Sequence, residues 1–300
     1  MNWLLFCDEQ DFSEKINNFL TTQDKKNKLF TTDFNIKNIL KTHDEMMLSA
    51  CCLIFCTKDL DFDEKLDLSR IAGFMESHEI PIVTNIDFLG KSAITKLTKT
   101  KYFKTQSTLF DFFTKNYESF IENSKKRISK TRLLNKGIPF TPDCMASYIA
   151  KNKSKIFNEF ISAGMSVNER DDEGTPLLNI ACRNDNFELA KKIIAEGADI
   201  NSTSLDRGYT PVMDAVWRGN EKITAFLISK GADLNTINKE GQTNLILAVG
   251  ADRTKIVKLL AENGANPDIK DHMGMSAWNY ANLFRKTKIL EILKPYHKES

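Results

Sequence analysis

The sequence predicts two domains of different class: an α/β domain built on a five-stranded parallel sheet, followed by an all-α solenoid of stacked helical units. Three observations carry this. Over residues 1–120, short apolar runs alternate five times with stretches of helical period, the pattern of a parallel sheet covered on both faces. From residue 141 onward, two separate sequence patterns recur in phase every 33 to 35 residues. Finally, 300 residues that are 41% hydrophobic and 27% charged, with 20 Phe, suffice for two buried cores and are too apolar for disorder. The expected organisation is an α/β domain over 1–120, a basic linker over 121–140 and a repeat domain over 141–300.

In the first domain the strand candidates are the runs 3–6, 28–32, 52–55, 80–83 and 101–103. Phe12, Ile16, Phe19 and Leu20, and later Phe110, Phe113, Tyr117 and Phe120, have helical spacing. Ligands of such sheets sit beyond the carboxyl ends of the strands, so the residues just after each run decide function. There the chain carries Asp8 and Glu9, Cys56, Thr84 and Lys104. Together with the stretch from Cys56 to Glu64 and with Ile80-Pro81-Ile82-Val83-Thr84, these places resemble a response-regulator receiver domain over about residues 1–120. That resemblance implies a flavodoxin-like sheet of order 2-1-3-4-5. It also implies a pocket of an acidic pair (Asp8, Glu9), a phospho-acceptor position (Cys56), a Ser/Thr (Thr84) and a Lys (Lys104). The family's acceptor is an Asp, and its Lys is followed by Pro; this chain has Cys56 and Thr105 instead. A thiol is a poor ligand for the hard Mg²⁺ that the transfer requires, so Asp phosphorylation is not expected. The resemblance is to a pseudo-receiver, kept for its shape or for a partner surface.

Two other readings use the same topology. A Toll/interleukin-receptor-like domain, sensing or hydrolysing nucleotides, would use Glu64 with Asp8 and Glu9. The only glycines of this region are Gly73 and Gly90, however, and they form no phosphate-cradling loop. A thiol switch between Cys7 and Cys56, at the ends of neighbouring strands, is the other; a buried Cys acting as a small hydrophobe is the plainer role.

The joint holds Lys125, Lys126, Arg127, Lys130, Arg132 and Lys136 against Glu122, a net +5, which leaves 2 − 5 = −3 on the rest of the chain. A solvated linker or helix face is the plain reading; phosphate binding, weakening steeply with salt, is the sharper one. Ile138-Pro139-Phe140-Thr141-Pro142 then leads in extended form to the first repeat.

In the second domain, Gly174-Thr175-Pro176-Leu177, Tyr209-Thr210-Pro211-Val212, Gln242-Thr243-Asn244-Leu245 and Met275-Ser276-Ala277-Trp278 recur at steps of 35, 33 and 33. Independently, the segments beginning at Gly164, Gly197, Gly231 and Gly264 recur at 33, 34 and 33. Thr-Pro suits the start of a first helix, where the missing N–H of Pro costs nothing and the Thr hydroxyl can take up a free amide. The glycines fall where a second helix ends in a left-handed residue. Ala190, Ile193 and Ile194, and Ile223, Phe226, Leu227 and Ile228, supply apolar stripes that no unit buries alone. These motifs resemble the ankyrin family over about residues 141–295, implying some five units with atypical terminal ones.

In that family the resemblance places function on the concave face of first helices and projecting turns. Trp217, which aligns with Cys182 and Gly250, and Arg218 are of residue types enriched at binding hot spots; Trp217 packing between units is the alternative. The extra residues in 202–208 lengthen one turn and give it further reach. The expected protein-binding set is Trp217, Arg218, Asp214, Asn179, Leu205, Arg207, Ile237 and Lys239.

Composition removes other classes. The net charge of +2 gives no global case for nucleic acid or membrane, and no run approaches the ~18 apolar residues of a membrane span. Six Cys without CxxC pairs or the compact spacing of a disulfide framework, and four dispersed His without zinc-ligand spacing, fit a reducing cytoplasm, and no metal or cofactor is expected. The expectation is a cytoplasmic, non-enzymatic adaptor that binds protein partners.

Overall fold

The computed structural model describes residues 1–32, 49–55, 62–84 and 100–298. The chain divides into two compact units, Met1–Arg132 and Leu133–Ser300.

In the first unit the elements run β1 (Asn2–Cys7), α1 (Gln10–Gln23), β2 (Lys28–Thr32), β3 (Ser49–Phe55), α2 (Phe62–Ser77), β4 (Ile82–Thr84), β5 (Thr100–Tyr102), α3 (Gln106–Lys115) and α4 (Tyr117–Asn135). The five strands pair in parallel in the order β2-β1-β3-β4-β5. Alternation along the pleat sorts the side chains. Leu4, Phe6, Cys52, Ile54 and Ile82 face Leu68, Ile71, Ala72 and Met75 of α2. Trp3, Leu5, Leu53, Phe55 and Val83 face α1, α3 and the start of α4. With both faces covered, every residue of β3 is buried, which is why it reads as an unbroken apolar run.

The segment expected as a basic linker is helical as far as Asn135, and α4 passes through the division at Arg132. Tyr117, Phe120 and Ser124 are buried in the first unit, and Arg127 donates from Nη2 to the Ser49 carbonyl. Lys125, Lys126 and Lys130 stay exposed.

The second unit contains five helix pairs among the described residues: α5 (Pro142–Ala150) with α6 (Ser154–Ser162), α7 (Leu177–Arg183) with α8 (Phe187–Ala195), α9 (Pro211–Arg218) with α10 (Glu221–Ser229), α11 (Asn244–Gly250) with α12 (Thr254–Glu262), and α13 (Ala277–Leu283) with α14 (Thr287–Leu293). One continuous apolar core runs through them. Thr141, Thr210, Thr243 and Ser276 cap their first helices by accepting from the amide three residues on. The second helix pair departs from this pattern. There α7 starts at Leu177 with Pro176 in the cap position, and the buried Thr175 hydroxyl has no partner among the described residues, while the Thr175 amide donates to Asp171 Oδ1 at 2.7 Å.

Neighbouring units are stitched by one recurring side chain. Asn168, Asn201 and Asn235 accept from the amides of Asp199, Asp233 and Asn266 at 2.8, 2.9 and 2.8 Å. The glycine positions at 164, 197, 231 and 264 all adopt positive φ, as the second register predicts. Gly241 carries an additional constraint: its φ is +78°, and a Cβ there would lie 2.8 Å from the backbone N of His272. Gly241→Ala is therefore expected to cost about 2–3 kcal/mol. Gly231→Ala, with open space at φ +84°, should cost only about 1 kcal/mol. Urea denaturation of the two variants checks the difference.

Candidate functional site

On the face formed by the first helices, residues at equivalent places in successive units form columns. Asn179, Asp214, Leu247 and Tyr280 make one, and Cys182, Trp217, Gly250 and Leu283 make another. Along the array the character of this face changes from polar to apolar.

At the second and third units the columns meet a buried carboxylate. Asp214 has no exposed surface. It accepts from Asn179 Nδ2 at 2.9 Å and Arg183 Nε at 3.1 Å, with Arg207 Nη2 at 3.7 Å. Asp206 lies 3.6 Å from both guanidiniums, and Arg207 stacks over the Tyr209 ring at 4.2 Å. Burial raises the Asp214 carboxyl above the ordinary aspartate value, against the opposing pull of Arg183, Asn179 and Arg207. Burial works against the charge of Arg183 as well, but Asp214, Asp206 and Asp171 together outweigh it and raise the guanidinium.

This cluster corrects two expectations. Asn179 and Asp214 are wholly buried, so neither offers surface to a partner; they bind the turn to the helices. The longer turn at 202–208 does not project freely either. Its Leu205 amide donates to the Gly174 carbonyl at 3.1 Å, the Lys239 amide donates to the Arg207 carbonyl at 3.0 Å, and Lys239 Nζ donates to the Leu205 carbonyl. Leu205 remains 63% exposed and Ile237 49% exposed, so both keep apolar surface on this side.

At the third to fifth units the face is apolar. Trp217 is 51% exposed and so does not pack as core. With Ile246, Leu247, Gly250, Tyr280 and Phe284 it lines a cavity of about 170 Å³. Tyr280 and Phe284, one helical turn apart, stack at 5.9 Å, and the Tyr280 hydroxyl donates to Asp271 Oδ2 at 2.7 Å. Arg218 pairs with Asp185 at 3.0 Å on the rim. The sequence reading missed Leu247, Tyr280 and Phe284; following the columns of Asp214 and Arg218 forward by 33 and 66 residues finds them.

A second depression, of about 410 Å³, lies between the first and second repeats of the array and is lined by Asp143, Asp171, Asp172, Glu173 and Arg183, among others. The Asp172 amide donates to Asp143 Oδ1 at 2.6 Å. Asp143, through a hydrogen bond and its charge, raises the Asp172 carboxyl.

In the first unit, Asp8 and Glu9 follow β1, Thr84 ends β4 and Lys104 follows β5; because these strands are parallel, all lie at the carboxyl edge of the sheet. Thr84 is buried and Lys104 exposed. Glu9 Oε2 accepts from Gln106 Nε2 at 3.2 Å. Cys56 and the side chain of Glu64 lie outside the described residues. Cys7 Sγ accepts from the Glu9 amide at 3.2 Å, and burial is the main cause holding its thiol above the ordinary value, which does not favour a reactive thiolate. Among the described residues, no group of three or more His, Cys, Asp or Glu could hold a metal ion, and no helix is long and apolar enough to cross a membrane.

The fold and this face define a solenoid of helix–turn–helix units. Residues 145–238 match the family described as ankyrin repeats (3 copies), and residues 240–272 match ankyrin repeat, so the C-terminal half is an array of ankyrin repeats. The chain is similar to an ankyrin repeat-containing protein of Treponema pallidum, 38% identical over 179 residues, covering 60% of each chain. It is also similar to an ankyrin repeat protein of Borreliella burgdorferi, 35% identical over 83 residues, covering 28% of this chain and 37% of that one. BRCA1-associated RING domain protein 1 of Caenorhabditis elegans is 32% identical over 125 residues, 42% of this chain and 18% of that one. This chain thus spans at most about 60% of the length of these relatives.

Proposed function

We propose that the chain is a non-enzymatic adaptor that holds a protein partner on the concave, first-helix face of its ankyrin array. The observation that supports this most is the exposed Trp217 in an apolar cavity built from three successive units. Large aromatic side chains left half-exposed on a rigid scaffold are costly in water and gain most when a partner covers them. Leu205, Ile237, Arg207, Lys239 and Arg218 border the same face and would act as its adaptable contacts. The first domain is read as a flavodoxin-like pseudo-receiver. Its strand order and the placement of Asp8, Glu9, Thr84 and Lys104 at one sheet edge support that reading, and Cys56 at the acceptor position argues against an Asp phosphorylation cycle.

Affinity capture with the full chain, repeated with Trp217→Ala combined with Arg218→Ala, tests the adaptor reading. Loss of the captured partner by at least about tenfold, with unchanged helical circular dichroism, is the expected result. Partners that survive both changes and the removal of residues 202–207 would remove its basis.

A further inference from the structure

We propose that the cavity at Trp217, Tyr280 and Phe284 takes one aromatic or leucine side chain from an extended segment of the partner, and that carboxylates flanking this anchor meet Arg253 and Arg285. This rests on the adaptor reading of the same face and adds the chemistry of its occupant.

The cavity sets the anchor. At about 170 Å³ it is close to the ~150 Å³ that accommodates a benzene-sized ring in an apolar protein site. Its walls are apolar or aromatic, apart from Gln242. The Tyr280 hydroxyl is already engaged with Asp271, and the Tyr280–Phe284 stack holds two walls in one arrangement, so little side-chain freedom remains to be lost on binding. A charged side chain entering here would lose its hydration for no partner.

The rim sets the flanks. Four cations lie at or just beyond the ends of the first helices of the third to fifth repeats: Arg218, Arg253, Arg285 and Lys286. Two are compensated, Arg218 by Asp185 and Lys286 by Asp252, each at 3.0 Å. Arg253 and Arg285 are exposed and have no carboxylate partner among the described residues. Arg253 lies over Gly219, two residues beyond Trp217, where a Cβ would come within 2.7 Å of Cζ. Arg285 directly follows the cavity-lining Phe284. Two exposed arginines in the turns that follow cavity-lining helices favour carboxylates on either side of the anchor and disfavour a basic segment. The acids Asp143, Asp171, Asp172 and Glu173 at the first and second units add to this discrimination, because they keep the acidic part of the segment at the far end of the array. A nucleobase could also stack on such rings, and competition with a single-stranded oligonucleotide separates that occupant from a peptide side chain.

The test uses the full chain and fluorescein-labelled synthetic dodecapeptides with one central phenylalanine, flanked by aspartate and glutamate, by lysine, or by serine, read by anisotropy. The acidic peptide should bind at least about tenfold more tightly than the lysine one. Phe284→Ala should weaken it by about tenfold or more. The exposed double change Arg253→Glu with Arg285→Glu, which touches no core contact, should reverse the order of acidic and basic peptides. Equal binding of the three peptides, binding of none, an order unchanged by the double reversal, or displacement by a single-stranded oligonucleotide would each overturn the proposal. If capture of the intact partner still depends on Trp217 in any of those cases, the adaptor reading stands and only the occupant's chemistry is wrong. If capture is indifferent to Trp217, the adaptor reading itself has failed.

Discussion

Replacing Asp214 with alanine is expected to remove about 2–4 kcal/mol of folding stability, because hydrogen bonds to a charged group and a buried ion cluster are lost together. The carboxylate is 0% exposed and is held by Asn179 and Arg183 from the preceding repeat and by Arg207 from the intervening turn. Its removal leaves Arg183 and Arg207 beside Asp206 alone. Their side chains are 28% and 36% exposed, so both can regain water, which keeps the cost below that of a fully enclosed orphan charge. By contrast, the half-exposed Arg218–Asp185 pair should contribute less than about 1 kcal/mol, so Arg218→Ala should leave the urea midpoint nearly unmoved. The pH dependence has an unusual sign. Burial raises the Asp214 carboxyl in the folded chain, so the native state holds this proton at a pH where the unfolded chain has released it. Its contribution is fully present below the ordinary aspartate range and is lost as pH rises through the raised folded value. Between pH 7 and the ordinary aspartate range, acidification should therefore stabilise the wild-type chain relative to Asp214→Asn. Urea titrations of both proteins at pH 7 and pH 5 measure this; a relative loss for the wild type would show that the arginines, not burial, govern the carboxyl.

The array was legible because its information is repeated. The Thr-Pro starts, the terminal glycines and the stitching Asn168, Asn201 and Asn235 recur in phase, so an error in one unit is corrected by the next. The sheet was legible for another reason: strands buried on both faces leave uninterrupted apolar runs. Only its edges were misjudged, as at β3, which starts at Ser49 rather than Cys52. The backbone of Ser49 is engaged by Arg127, a residue 78 positions away that composition had assigned to a linker. The lysines that give this stretch its charge lie on the solvent side of a helix whose other face buries Tyr117, Phe120 and Ser124, so charge density hides the helical spacing.

The face was legible in part. Trp217 stood out by residue type, and the columns on either side of it, through Asp214 and Arg218, lead to Tyr280 and Phe284. Asn179 and Asp214 occupy equivalent column positions but are buried, because the lengthened turn folds back and places Arg207 and Asp206 over them. Loop length alone reports that extra residues exist. Whether they reach outward or return depends on the partner waiting for them, here a carboxylate 8 residues beyond Asp206.

In the first unit the largest expected loss belongs to Phe113→Ala, at about 3–5 kcal/mol. Phe113 is fully buried and meets Trp3 edge-on at 5.3 Å, Phe19 at 5.7 Å and Phe120 at 6.2 Å, joining β1, α1 and α4 through α3. How much a deletion costs depends on whether the surroundings can close over it. Here they are held from outside: Trp3 Nε1 donates to Asn27 Oδ1 at 3.1 Å, and Asn27 Nδ2 donates to the Tyr117 hydroxyl at 2.8 Å. With Trp3 and Tyr117 fixed by the same asparagine, the rings on two sides of the vacancy can move inward only by breaking partly buried hydrogen bonds. The cavity should stay open and the loss should fall toward the upper end of the range. Phe110, one turn away from the hub and only partly buried with Lys15 over its ring at 4.2 Å, should cost about 1 kcal/mol on the same change. Denaturation followed by near-ultraviolet circular dichroism compares the two. A Phe113→Ala loss no larger than that of Phe110→Ala would mean that the Asn27 anchor yields and the ring cluster collapses.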